Sequence, residues 1–230
     1  MTTEEGRMAS QPLISVRGQA TLEVEPEIAV ISVWITARDR DRRHALELLA
    51  KRGEQVAALL RQQGEAVEKT ESQPARVRPE LKDDKARERI AGYLATGGFT
   101  ITVRDFIILG DLVAALADQE MATISGPSWH LRRDSQVYRK ARMEAVQDAM
   151  RRAHEYAAAF GGKVTGLVEV ADTGLLAEGV QPAPGAVTMH ASLRSRTQPE
   201  LPHFDFEPAM QTVGAQVEAR FTMSSPDFGA

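Results

Sequence analysis

The chain has 230 residues, 43% hydrophobic and 26% charged, with a formal net charge of −4 and no cysteine. Those figures exclude bulk disorder, collagen and a multi-span membrane protein, and the missing cysteine excludes disulfides, thiolate zinc sites, iron–sulfur clusters and cysteine nucleophiles. At 25.2 kDa and pI 5.8, the chain is large enough to bury roughly 70% of its unfolded surface without a covalent or metal staple, and it has no global attraction to nucleic acid or anionic lipid.

The opening residues Met1–Ser10 begin with acids and are not followed by an apolar run. A secretory leader needs a basic start and about 7–15 apolar residues, so the expectation is a cytoplasmic protein. The expected first strand is Leu13–Val24, with Ile14, Val16, Ala20, Leu22 and Val24 on one parity. Gly18 interrupts it, which points to a bulge or to close backbone approach. Glu25-Pro26-Glu27 reads as a turn into a second strand, Ile28–Ala37, and the two are expected to form a hairpin. Asp39 or Asp41 then caps a helix carrying Ala45, Leu48, Leu49, Val56, Leu59 and Leu60. Arg52 is its polar break, its stem able to lie along the apolar face. Gly64 is the expected stop.

Val67–Pro79 is polar and extended, and Pro74 and Pro79 mark it as a sheet edge. A charged turn over 81–88, containing Asp83, Asp84 and Glu88, follows, then a long strand, Arg89–Val103, expected to bend at Gly97-Gly98. Asp105 caps a short helix over 106–118. Met121–Arg133 is the fifth strand, anchored by Ile124, Trp129 and Leu131. Asp134 or Ser135 opens the longest helix, which reaches Phe160 and stops at Gly161-Gly162. Lys163–Ala171 is the sixth strand. Residues 172–208 hold five of the eleven prolines and read as a loosely held excursion. Gln211–Met223 alternates as the last strand. The class is α+β: mainly antiparallel sheet against one long, one medium and one short helix, in the order ββαββαβαββ. The expected organisation is a tail over 1–11, one domain over 12–224 containing the excursion 172–208, and a tail over 225–230.

Three segments together resemble the SIMPL-domain family. They are Ile14-Ser-Val-Arg-Gly18-Gln-Ala20 with Val24-Glu25-Pro26-Glu27-Ile-Ala29, then Ile101-Thr-Val-Arg104-Asp105, then the ladder from Ala141-Arg142 through Ala145, Asp148, Ala149, Ala153 and Ala157 to Phe160-Gly161. Glu27 replaces the family's usual aspartate, and Phe206-Glu207-Pro208-Ala209 lacks the glycine of the family's turn before the final strand. The resemblance implies a non-enzymatic, oligomerising domain. Vertebrate relatives are associated with a signalling kinase, some bacterial ones with envelope or oxidative-stress roles, and many of these look secreted. It assigns no residue a role.

The residues themselves carry no catalytic motif. His44, His130, His154, His190 and His203 have no partner at the i, i+4 spacing of a metal-binding helix. Ser125-Gly126-Pro127-Ser128 lacks the frame of a nucleophile elbow. Gly161-Gly162-Lys163 follows a helix, where a phosphate-binding loop precedes one. No metal, no cofactor and no catalytic residue is expected. Arg132, Arg133, Arg139, Lys140 and Arg142 cluster where the long helix begins, and cations there oppose its dipole. The cluster reads as a solvated or subunit-facing patch, with nucleic-acid contact as the other reading. The alanine ladder reads as intrachain packing first, a subunit interface second. The functional expectation is a SIMPL-type binding or scaffold protein that partners itself and an unidentified protein, without a membrane span. The alternatives are an enzyme with an inter-subunit site and a nucleic-acid-binding module.

Overall fold

The computed structural model describes residues 11–82, 89–175 and 206–227. These fall into two compact units: a terminal unit from residues 11–24, 133–175 and 212–227, and a central unit from residues 25–82, 89–132 and 206–211.

The central unit holds β2 (Ile28–Asp39), α1 (Arg42–Gln62), β3 (Val67–Lys82), β4 (Arg89–Val103), α2 (Leu109–Ala117) and β5 (Ala122–His130); β1 (Leu13–Val24) precedes it in the chain and belongs to the terminal unit. Its four-stranded sheet has the order β3-β4-β2-β5 and is antiparallel throughout. Alternation on β2 places Ala29, Ile31, Val33, Ile35 and Ala37 on one buried row. That row meets Leu49, Val56 and Leu60 of α1 and Leu109, Leu112 and Leu116 of α2. Each large aliphatic so buried contributes about 1.5–3 kcal/mol. Asp41, one of the two expected caps, accepts the His44 amide at 2.9 Å. The Arg52 guanidinium donates to the Thr36 carbonyl at 2.7 Å and reaches Glu120, which satisfies the polar break in the helix. Gly64 turns left-handed at φ +55 just beyond the helix end.

β3 is an edge strand, as its prolines required, and its register with β4 slips between Gln73 and Arg76, around Pro74. β4 runs in unbroken register with β2 through Gly97 and Gly98. What Gly98 supplies is room: a Cβ there would lie 2.1 Å from the Val33 carbonyl oxygen. The short helix begins as a tight turn, Phe106–Ile108, capped by Asp105. β5 is shorter at both ends than expected. Its C-terminal residues leave the sheet where Arg132 turns to bind Glu27 and Glu68.

The terminal unit holds β1, α3 (Gln136–Ala159), β6 (Val164–Asp172) and β7 (Gln211–Met223), with sheet order β1-β7-β6. The expected β1–β2 hairpin does not form. β1 lies antiparallel to β7, and contacts descend in step from Pro12–Met223 through Ser15–Arg220 to Arg17–Glu218. Alternation identified both strands correctly, but their apolar rows feed different cores. Ile14 and Val16 pack with Val217, Ala219, Phe221 and Met223, whereas the β2 row belongs to the central core. Both sheets are antiparallel, so the α+β class stands. The excursion 172–208 lies mostly outside the described residues, as does most of the expected charged turn 81–88, whose first two residues instead continue β3 to Lys82. Among the described residues no helix is long and apolar enough to cross a membrane.

Candidate functional site

α3 has two faces, and each explains the other. Ala141, Ala145, Ala149, Ala153 and Ala157 are all buried. Four-residue spacing keeps small side chains near one line of the helix, so α3 settles directly onto β1 and β7. At Gly18 the approach is so close that a Cβ would lie 2.0 Å from the Ala145 carbonyl oxygen and 2.7 Å from the Ala149 Cβ. Of the two expectations for Gly18, close approach is correct, and the alanine ladder packs within the chain.

Asp148 fastens this contact. Its carboxylate accepts the backbone N–H of Gln19 at 3.0 Å and pairs with Arg152 at 2.9 Å and with Arg151. The Gln19 amide, and then the charges of Arg152 and Arg151, hold the carboxyl below the ordinary aspartate value against the opposing effect of burial. The sequence places Asp148 within the ladder without marking its part. An acid at helical spacing on the alanine face is the available signal.

The outward face of α3 was not foreseen. It shows Met143, Val146 and Met150, exposed by 53%, 41% and 48%. Their spacing of three and four residues places them on one stripe away from the alanines. Arg139, Arg142, Met143, Val146 and Gln147 line a shallow trough of about 330 Å³. A second hollow of about 360 Å³ adjoins it at the helix start, lined among others by Arg133, Ser135 and Tyr138. Ser135 caps α3 by accepting the Val137 amide at 3.2 Å.

The expected basic cluster is therefore divided. Arg132 pairs with Glu27 and Glu68 in the central unit. Arg133, Arg139, Lys140 and Arg142 are exposed. Among the described residues none of the four makes an ion pair, although most other arginines do.

The histidines stay apart. His44 sits 2.9 Å from Asp39 at the start of α1. His130 Nε2 lies 3.0 Å from the Ser128 hydroxyl, which also donates to the Val30 carbonyl at 3.3 Å. His154 is exposed on α3. His190 and His203 lie outside the described residues, as do Asp83, Asp84 and Glu88. Among the described residues no three metal-ligating side chains converge. Ser125–Ser128 sits at the irregularity in β5, where its register with β2 shifts. Gly161, at φ +70, stops α3, and the Gly162 amide donates to the Ala157 carbonyl at 2.8 Å.

β6 pairs with β7 on one side and forms an edge of its sheet. Leu167, Val168 and Val170 are each more than half exposed on it.

A family model described as SIMPL, "Protein of unknown function (DUF541)", matches residues 14–221. No curated protein matches the chain.

Proposed function

The chain belongs to the SIMPL family over residues 14–221, and from that premise we propose that it is a non-enzymatic protein that associates with itself and serves as a binding or scaffold module. The observation that carries the reading is the edge of β6 that pairs with no strand among the described residues. Backbone donors and acceptors along that edge stand beside Leu167, Val168 and Val170, each more than half exposed. An apolar edge strand is a template for pairing with another strand, and β6 contains neither lysine nor proline to blunt it. Family resemblance points the same way.

The deciding measurement is solution mass by light scattering coupled to size exclusion. A mass at least twice 25.2 kDa is the expected result. A monomer persisting at about 100 μM, far above the micromolar dissociation constant of a modest interface, would remove the main support and favour the enzyme alternative.

A further inference from the structure

Arg133 stands just before the cap of α3 and Arg139 at the end of its first turn, where a cation opposes the helix dipole. A helix N-terminus carries about half a positive charge, so nearby cations are unfavourable there, and the first turn of α3 contains no acid. Asp134, beside Arg133, forms no ion pair with any of the four cations, and Glu144 forms none with Lys140, although the two stand at helical i, i+4 spacing. Among the described residues, the elements around them leave these charges unmatched. Arg151 and Arg152, two turns further on, are matched by Asp148. A counter-charge supplied from outside would relieve the repulsion, and the apolar row Met143, Val146, Met150 continues from the same place along the same face.

We propose that the outward face of α3 docks a protein segment that is acidic at one end and apolar along the rest, its carboxylates over Arg133, Arg139 and Arg142 and its apolar side chains along Met143, Val146 and Met150. The proposal rests on the reading of the chain as a binding protein and names the chemistry of the partner. Charge complementarity selects this occupant. A second copy presenting the same face would set arginine against arginine, and like charges across an interface oppose association. A nucleic acid would satisfy the arginines but lay a hydrophilic backbone over the methionines. A lipid surface suits an amphipathic helix anchored by bulky residues such as Trp, Phe or Leu, and here the apolar row is Met143 and Val146 lining a trough, with Met150 beyond it. Methionine is unbranched and adapts to irregular apolar partners, which fits a peptide.

The test is selection from a random-peptide display library against the full-length protein. Enriched peptides should carry aspartate or glutamate clustered at one end and leucine, phenylalanine or methionine beyond it. A fluorescein-labelled selected peptide should bind the double variant R139E/R142E at least about tenfold more weakly, the scale of losing a close charge pair. Its binding to M143S/M150S should also be weaker, and added salt should reduce its affinity for the unsubstituted protein. No enrichment, enrichment without acids, or affinity unchanged in both variants would overturn the proposal. So would preferential binding of phosphatidylserine vesicles or a single-stranded oligonucleotide, either of which reassigns the face. Solution mass separates this outcome from the self-association reading. R139E/R142E that loses the peptide but keeps its mass confirms two distinct surfaces. A monomer that still binds the peptide refutes self-association alone.

Discussion

A side chain at residue 18 has nowhere to go, because the Ala145 carbonyl and the Ala149 amide already occupy its space at 2.0 and 2.6 Å. Both are backbone groups of a helix and cannot swing aside. Gly18→Val should therefore destabilise the protein by at least about 1–3 kcal/mol, the cost of overpacking, seen as a lower urea midpoint. Gly53, in the middle of α1, has nothing within 4 Å of its Cβ position. Gly53→Ala should stabilise by about 0.5–1 kcal/mol through helix propensity and a less flexible unfolded chain. Asp148 permits a pH-resolved test. Its folded-state carboxyl titrates below the ordinary value of 3.8, first because of the Gln19 amide and then because of Arg152 and Arg151. A depressed folded value adds stability at pH above the unfolded value, and that stability is lost as pH falls through the folded value. Asp148→Asn should lower the urea midpoint at neutral pH, and its gap from the unsubstituted protein should close as the pH drops below about 4. A gap that persists in acid would mean the carboxylate's charge is not what fastens β1 to α3.

At the scale of the element, α3 combines one face built for packing with another that is poorly suited to an isolated helix. The alanines allow close seating on β1 and β7, while Arg139 and its neighbours oppose the dipole at the start. Arg139→Glu removes a like charge from the cluster and places an anion near the positive end. It should raise stability by about 0.3–1 kcal/mol, visible as a higher thermal midpoint, while weakening the selected peptide. A residue whose replacement improves the fold and impairs binding is held for binding. If Arg139→Glu instead lowers the midpoint, the cation has a structural role and its charge is not held in reserve for a partner.

At the scale of the molecule, the chain leaves the terminal unit after β1, builds the central unit, and returns at Arg133. The terminal sheet therefore depends on pairing between strands about 200 residues apart, as in the Arg17–Glu218 ion pair at 2.7 Å. Its other edge, β6, is where a second copy is expected. Val168→Lys places a charge on that edge, a device by which natural sheets prevent edge pairing. The variant should elute as a monomer of 25.2 kDa with unchanged circular dichroism. A variant that keeps the mass of the parent would move the self-association surface away from β6, with the edge strand β3 next in line.

The sequence by itself determined the elements. Period-two alternation set the limits of β1, β4 and β7, and Asp41, Asp105 and Ser135 were legible as caps, because these features depend on neighbours a few residues apart. The alanine ladder and Gly18 announced close packing, and the unmatched arginines were visible as a cluster. Only the tertiary structure decided which core each strand serves. An alternating strand specifies a buried face but not the partner on its edge, so β1 and β2, three residues apart in the chain, joined different sheets. It also decided that Arg132 leaves the cluster for Glu27 and Glu68 while four cations remain unmatched among the described residues, since pairing depends on which carboxylates the fold brings within reach. The stripe Met143–Val146–Met150 could be read as helical spacing, but its exposure could not. A methionine row looks the same in sequence whether a sheet covers it or solvent does, and here the alanines had already taken the sheet.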